Sequence, residues 1–421
     1  LIFCAYQFNP MTPEELMLQN QMLKLVEQRL RRRNLPVRLE LWNGMALALS
    51  DVPEVEVRVR SPKALRSLIK PTLGRLAKDY VEQRIDLEGD ARTIVGFGES
   101  LCDASASVGQ KGGLGLNWWR HSRTSDRRNI QRHYDVSNDF YGLWLDRRRV
   151  YSCAYFRRPD DSLDTAQEQK LDHICRKLGL KEGERFLDIG CGWGGLILWA
   201  VENYGVRATG ITLSQHQYDY VQAQIRERGL ADRCQVKLLD YRDVPEAEPF
   251  DKIASVGMFE HVGRKNLPVY FGKIQRLLKP GGLVLNHGIT AAGLDSVGLG
   301  SGVSEFIEEY VFPGGELTHV AKVVEEMAGQ NLECLDVESL RPHYAKTLWH
   351  WVERLEARQE EARRLVGENK YRVWRIYMAG SAHAFDRGWL SIFQILAAKP
   401  TEDGKVLYPF TRDHVYIRTQ V

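Results

Sequence analysis

The residues best suited to chemistry lie in Phe186-Leu-Asp-Ile-Gly-Cys-Gly-Trp-Gly-Gly195. Four glycines fall within six residues, directly after an apolar stretch that carries Asp188. Gly190, Gly192 and Gly194 let the backbone approach a ligand closely and let a following helix pack tightly on its strand. A pyrophosphate wants helix-terminal N–H groups. An acid two residues before the first glycine favours a cationic ligand instead. Taken alone, the stretch is equally an ordinary tight strand-to-helix turn, so its meaning rests on what accompanies it.

The spacing Gly-x-Gly-x-Gly differs from the Gly-x-Gly-x-x-Gly of dinucleotide folds. It resembles motif I of S-adenosylmethionine-dependent methyltransferases, where Asp188 would suit the amino group of the methionine part. Further polar sets recur at the ends of the strands that follow: Thr212, Leu213 and Gln217; Asp240, Tyr241 and Arg242; and Gly257 to Glu260 with His261. Many methyltransferases carry an acid at the end of the second strand; here Thr212 and Gln217 stand in that region. The Asn/Asp-Pro-Pro-aromatic tetrad of amide and nucleobase methylation does not follow the fourth strand. No clustered His and Cys have zinc spacing, so no metal is expected.

These residues need a sheet to position them. Helical and strand periods alternate from Ser162 onward. Helices are predicted over Ala166–Leu178, Gly195–Tyr204, Gln215–Arg228 and Leu267–Leu278. Strands are predicted over Arg185–Ile189, Val206–Ile211, Val236–Leu239, Asp251–Val256 and Gly282–Gly288, with a late strand at Leu390–Ala398. Lys279-Pro-Gly-Gly282 reads as a helix stop and turn. The alternation predicts an α/β fold with a Rossmann-like, seven-stranded methyltransferase sheet and its ligand at the carboxyl ends of the strands.

Ahead of it, Glu14–Arg33 reads as a helix with a basic end. Val37–Trp42 and Val55–Val59 alternate like half-buried strands, Leu73–Glu82 has helical spacing, and Leu87-Glu-Gly resembles a turn. The expected organisation is a smaller amino-terminal α+β domain over 12–103 for lipid binding or assembly and a Ser/Gly/Arg-rich linker over 104–125. A catalytic domain over 126–400 and a tail over 401–421 follow.

The 421 residues hold 58 basic and 55 acidic side chains, so net charge alone points to no partner. The arginines are unevenly placed: Arg123, Arg127, Arg128, Arg132, Arg147, Arg148 and Arg149 crowd one stretch. This crowd is either a solvated face or a rim for an anionic membrane surface. The seven scattered cysteines suit a reduced compartment better than a disulfide framework. No apolar run approaches the roughly 18 to 20 residues needed to cross a bilayer. A cytoplasmic protein, peripheral at the inner membrane face, is therefore expected, with no nucleic-acid partner.

Four segments together carry a wider resemblance: Gln131-Arg-His-Tyr-Asp-Val-Ser-Asn-Asp139, Tyr151-Ser-Cys-Ala-Tyr155, Asp188 to Gly195, and Val256-Gly-Met-Phe-Glu-His-Val-Gly263. They resemble the cyclopropane-fatty-acyl-phospholipid synthase family over roughly residues 30 to 400. Leu68 to Gly89 is similar to the extra domain of its bacterial phospholipid-acting members. The resemblance implies S-adenosylmethionine contacts at Tyr151, Ser152, Asp188, Gly190, Gly192, Gly194, Thr212, Leu213, Gln217, Asp240, Tyr241 and Arg242. It also implies a bicarbonate ion at Cys153, Glu260, His287, Ile289 and Tyr344, held at Cys153 and Ile289 largely through backbone groups. The implied partners are membrane phospholipid with unsaturated acyl chains and a second copy of the chain.

That chemistry has a physical logic. A cis alkene attacking a sulfonium methyl leaves a carbocation, and ring closure needs a small base close to the new methyl, away from water. Aromatic faces at Tyr155, Phe259 or Trp349 could stabilise the cation or could simply pack an acyl tunnel. Cys153 as a covalent nucleophile is disfavoured, since alkene methylation needs no acyl-enzyme. Three alternatives stand beside this reading: a methylene-branched instead of a cyclopropane product, a small soluble acceptor, and a lipid-binding protein without chemistry.

Overall fold

The structure, a computed structural model, describes residues 13–32, 35–102, 137–294, 299–313 and 315–416. The chain divides into two compact units: residues 1–106 with 301–306, and residues 107–300 with 307–421.

In the first unit, strands β1 (Val37–Leu41), β2 (Ala46–Ala48), β3 (Val55–Val59) and β4 (Ile85–Glu88) form a sheet in the order β2-β1-β3-β4. Helices α1 (Pro13–Arg32), α2 (Leu65–Ile69), α3 (Leu73–Val81) and α4 (Ala91–Leu101) accompany it. Val37, Leu39, Leu41, Val55, Val57 and Val59 are buried, and the residues between them carry charge. On that charged face Arg58 pairs across strands with Glu40 of β1 and Glu88 of β4, and along its own strand with Glu56. The stretch read as a turn at Leu87-Glu-Gly is instead the end of β4, which pairs antiparallel with β3; the chain turns at Gly89 (φ 132°). The basic end of α1 is partly used internally, since Arg29 donates to the Ile69 and Leu101 carbonyls.

The second unit opens with α5 (Asn138–Trp144) and α6 (Leu163–Lys177). Then come β5 (Arg185–Ile189), α7 (Gly195–Tyr204), β6 (Arg207–Thr212), α8 (Gln215–Glu227), β7 (Cys234–Leu238), β8 (Phe250–Val256), α9 (Leu267–Leu277) and β9 (Leu278–Ala291). Helix α10 (Val303–Tyr310), which belongs to this unit only from Ile307, is followed by helix α11 (Val320–Gly329), strand β10 (Glu333–Ser339), and helices α12 (Arg341–Ala357) and α13 (Gln359–Asp386). Strand β11 (Leu390–Ala398) and the short α14 (Asp413–Tyr416) end the unit. Gly367, at φ 80°, breaks α13.

The expected seven-stranded sheet is present, in the order β10-β11-β9-β8-β5-β6-β7. Strands β5 to β9 pair in parallel, and β11 runs antiparallel to both its neighbours. β5 has β6 on one side and β8 on the other, so the order reverses there, and the carboxyl end of β5 is the switch point where such sheets bind ligands. Alternate residues face opposite layers. Phe186, Ala254, Leu285 and Leu396 pack with Leu171 and Ile174 of α6, Ile197 of α7 and Val221 of α8. Leu187, Ile253, Val284 and Ile395 pack with Tyr270 and Ile274 of α9 and Val323 of α11.

One predicted boundary is corrected. The sequence suggested a turn at Lys279–Gly282, but β9 already begins at Leu278. The Gly281 N–H donates to the Lys399 carbonyl and the Lys399 N–H to the Gly282 carbonyl, so main-chain bonding draws the Pro-Gly-Gly stretch into the sheet. The cost is a register shift against β8 between Phe250 and Lys252.

Candidate active site

The glycine turn follows β5 as expected. Gly190, Gly192 and Gly194 have φ of 82°, 54° and 81°, a region that side-chain-bearing residues avoid. The N–H groups of Gly190 and Cys191 both donate to the Ile211 carbonyl of β6, which ties the turn to the neighbouring strand. Trp193 anchors it on the other side, its Nε1 donating 2.8 Å to Asn138 Oδ1 at the start of α5. Ser137 caps that helix by accepting from the Phe140 N–H. This explains Ser137 and Asn138 of the sequence motif at 131–139; its residues 131–136 lie outside the described residues.

A cleft of about 1160 Å³, counted to its open mouth, lies over the carboxyl end of the sheet. Every proposed cofactor residue except Gly194 lines it: Tyr151, Ser152, Asp188, Gly190, Gly192, Thr212, Leu213, Gln217, Asp240, Tyr241 and Arg242. Gly194 sits behind, as the cap of α7. Thr212 Oγ1 donates 2.7 Å to Gln217 Oε1 and accepts from the Ser214 N–H, closing the β6–α8 corner. Asp240 accepts from its own chain's Arg242 through Nε (2.8 Å) and Nη2 (2.6 Å), which neutralises that arginine. Asp188 is buried; its Oδ1 has no partner, and burial pushes its carboxyl up to about 7 while the nearby Lys170 charge pulls the other way. An unpaired acceptor behind a glycine cradle fits the amino end of S-adenosylmethionine, which supplies an electrophilic methyl group when bound.

The five residues assigned to the base do not line this cleft. They are linked in a layer behind it. Glu260, in the turn after β8, accepts 2.6 Å from the Ile289 N–H through Oε1, while Oε2 is buried without a partner. Ile289 pairs with Ile392 of β11, and the Ile392 carbonyl accepts from the Leu340 N–H. The Leu340 carbonyl in turn accepts from the Tyr344 N–H and from the Cys153 thiol (3.8 Å). His287 shares the Ile289 face of β9; both its ring nitrogens are buried and unpartnered. Burial, aided by the charges of Lys170 and Lys177, holds His287 down to about 3, so the ring is neutral. Burial pushes Glu260 up to about 7 against the Ile289 hydrogen bond. Burial also raises the Cys153 thiol far above its usual range, which leaves no thiolate nucleophile. Gly288 is obligatory here: a Cβ would lie 2.2 Å from Phe259 Cε1 and 2.8 Å from Glu260 Oε1.

None of the three aromatic candidates lines the cleft. Tyr155 is stacked between His173 (4.2 Å) and His343 (4.9 Å), Phe259 packs in the core below Gly288, and Trp349 Nε1 donates to Asp386. The aromatic wall beside the cleft is built from Tyr141 and Trp144 of α5, Tyr151, Trp193, Trp351 of α12 and Trp374 of α13. Tyr377 joins it through hydrogen bonds with Tyr151 and Ser381 and lies within the electrostatic reach of Glu260. These groups come from segments far apart in sequence, and no local pattern announces them. Lys170 and Gln167 were also missed. Their signal was available: Lys170 lies four residues from both Ala166 and Ile174, on the apolar stripe of α6.

Of the crowded arginines, Arg147 and Arg148 share Glu168, and Arg149 lies over the Tyr220 ring. Arg123, Arg127, Arg128 and Arg132 lie outside the described residues.

A doubly wound sheet with an acid-led glycine turn at its switch point defines the site of an S-adenosylmethionine-dependent methyltransferase. Comparison with known proteins agrees. The family model described as mycolic acid cyclopropane synthetase matches residues 121–395. The chain belongs to that family. It is 45% identical over 397 residues to a probable fatty acid methyltransferase of Pseudomonas putida, covering 94% of this chain and 100% of that protein. It is 32% identical over 408 residues to the tuberculostearic acid methyltransferase UfaA1 of Mycobacterium tuberculosis, covering 88% and 90%. The crystal structure of the mycolic acid cyclopropane synthase CmaA1 complexed with SAH and CTAB matches with a TM-score of 0.61 at 37% identity. That match covers 65% of this chain and 98% of that one.

Proposed function

We propose that the protein transfers a methyl group from S-adenosylmethionine to the cis double bond of an unsaturated phospholipid acyl chain and closes a cyclopropane ring. One observation carries the reading: a buried Glu260 with an unpartnered oxygen, in the layer that also holds a neutral, unpartnered His287. A site for methylating an oxygen or nitrogen nucleophile needs no such reserve of buried polar atoms beside the donor cleft, whose lining includes His261, the residue next to Glu260. An alkene does, because the methyl itself must lose a proton after transfer.

Bicarbonate fits the unpaired groups and would supply a small base there. Glu260 Oε2 and the His287 ring would hold it, with Cys153 and Tyr344 at the edge of the layer. The Ile289 N–H is engaged by Glu260, so Ile289 would also position the carboxylate that holds the ion. The aromatic wall from Tyr141 to Trp374 excludes water and offers π faces to a developing cation.

The acceptor lipid would be reached from the membrane surface. Among the described residues no helix is long and apolar enough to cross a bilayer. The amino-terminal unit is the candidate for lipid docking and for pairing of two copies, at the inner face of the membrane.

A second reading has support of its own. The two relatives matched along most of the chain are named a probable fatty acid methyltransferase and a tuberculostearic acid methyltransferase. In that reading donor and acceptor are the same, and the cation rearranges before proton loss, giving a methylene-branched chain. The two products are isomers. Incubation with unsaturated phospholipid vesicles and labelled S-adenosylmethionine, followed by NMR of the lipid, separates them: high-field cyclopropane protons for a ring, vinylidene protons for a branch. Lipid left without label would overturn both.

A further inference from the structure

One wall of the donor cleft holds a buried cation with no carboxylate bonded to it. Lys170 is 2% exposed, and its ammonium donates 2.9 Å to Ser152 Oγ. The same face of α6 shapes the segment that forms this wall. Gln167, one turn earlier, donates to the Val150 carbonyl (3.2 Å) and the Ser152 carbonyl (2.8 Å). The nearby acids are arranged so that neither bonds to Lys170. Asp146 accepts from the N–H groups of Arg148 and Val150, and Asp188 Oδ1 has no partner. The cleft's other strong cations are engaged: Arg242 by Asp240, and Arg149 by the Tyr220 ring.

A lysine buried with a single hydroxyl partner is costly unless a counter-charge arrives. So is a buried carboxylate with an idle oxygen. Lys170 and Asp188 both line the cleft and act on each other's ionisation without a hydrogen bond between them. The cleft therefore offers, at one end, a cation and an anion held apart. That arrangement complements an α-amino acid, whose ammonium and carboxylate are fixed on one carbon.

We propose that Lys170 and Ser152 together receive the carboxylate of the amino-acid end of S-adenosylmethionine, opposite Asp188, which faces its ammonium. This rests on the S-adenosylmethionine reading of the cleft. Lys170 donates into the Ser152 oxygen, so the Ser152 hydroxyl proton is directed to a second acceptor, and the ammonium retains two further donors. Ser152 and Lys170 then form a two-point grip on one carboxylate, reinforced by charge. The adenosine end is left to Thr212, Gln217 and Asp240.

Calorimetry on the full chain tests this with two ligands. S-adenosylhomocysteine carries the amino-acid end; 5′-methylthioadenosine keeps the nucleoside and sulfur but lacks it. Lys170→Met should weaken S-adenosylhomocysteine by about 10- to 100-fold, the span of a charge-assisted hydrogen bond, and leave methylthioadenosine within about twofold. Ser152→Ala should show the same selectivity with a smaller loss, since it keeps the Lys170 charge while removing its hydroxyl partner, and it decides the matter if Lys170→Met fails to fold. Equal losses for both ligands, or no loss for either, would overturn the proposal. Failure of the unaltered protein to bind S-adenosylhomocysteine would instead remove the cofactor reading beneath it.

Discussion

Glu260 and Ile289 are joined by a 2.6 Å hydrogen bond from the Ile289 N–H to one carboxylate oxygen, which leaves the other oxygen buried and unpaired. The bond fixes the side chain without neutralising it. Glu260→Gln preserves the shape and can still accept from Ile289, but it can neither ionise nor take up a proton. Turnover should fall by about 100-fold or more, the usual worth of a positioned acid or base. Affinity for S-adenosylhomocysteine should stay within about twofold, because Glu260 does not line the donor cleft. Burial sets its carboxyl near 7, so wild-type turnover should rise through neutrality as Glu260 ionises. His287, held down to about 3, should add no limb above pH 5. A pH–rate profile of both proteins checks this; undiminished turnover in Glu260→Gln would remove Glu260 from the chemistry.

Gly288 is a test of the same layer from the backbone side. In Gly288→Ala the new methyl would meet the Phe259 ring and Glu260 Oε1. Overpacking of this kind costs about 1–3 kcal/mol. The expected outcome is a protein that still unfolds cooperatively and binds S-adenosylhomocysteine, with turnover reduced because Glu260 is displaced. A thermal melt, calorimetry and an activity assay on the one variant separate these effects. Normal turnover with lowered stability would mean that Phe259 alone yields.

Asp188 should couple cofactor binding to protons. In the ligand-free protein burial lifts its carboxyl to about 7, so it is part-protonated at neutrality. A bound ammonium favours the ionised form. Binding should therefore release protons at pH 6.5–7, roughly the range of half-titration, and tighten as pH rises through about 7. The sign for stability is opposite. A pKa raised above 3.8 favours the ligand-free fold at low pH, and that contribution is lost as pH rises through about 7. Calorimetry in buffers of different ionisation enthalpy measures the release. Asp188→Asn should abolish it and weaken binding; an unchanged proton count in that variant would assign the coupling to another group.

Much of this site was legible because it is local. Gly190 to Gly194, Thr212 to Gln217 and Asp240 to Arg242 each follow a strand whose period is visible, and a parallel sheet brings strand ends together whatever the loops do. Lys170 was not read because a lysine in an amphipathic helix is assumed to face water, and only tertiary packing shows that this one faces Ser152. The aromatic wall escaped for a different reason. Trp144 of α5 lies some two hundred residues of chain before Trp351 of α12 and Trp374 of α13, and periodicity within any one of these helices says only that it is buried. The strand at Leu278–Gly282 was hidden by proline and glycine chemistry that signals a turn until Lys399 supplies the missing hydrogen-bond partners.

Glu338 of β10 anchors the last buried charge cluster. It pairs with Lys177 Nζ at 2.6 Å and His173 Nε2 at 2.7 Å, both from the buried face of α6. Burial alone would raise its carboxyl; the His173 hydrogen bond and the Lys177 charge outweigh that and hold it down to about 2. A carboxyl lowered from 4.5 contributes stability that is present above that pH and is lost as pH falls toward about 2. Lys177→Met leaves Glu338 with His173 and the Tyr416 hydroxyl and should cost about 3–5 kcal/mol, the penalty for a buried charge that has lost its ionic partner. Replacing both, as Lys177→Met with Glu338→Leu, should recover part of that, because the Glu338 charge goes with its partner and only the more exposed Asp336 loses a lysine. Urea unfolding at pH 7 and pH 4 measures both effects. The single variant should be less stable at pH 7 and should lose less on acidification than the unaltered protein. Equal midpoints at pH 7 would mean that water, not Lys177, balances Glu338.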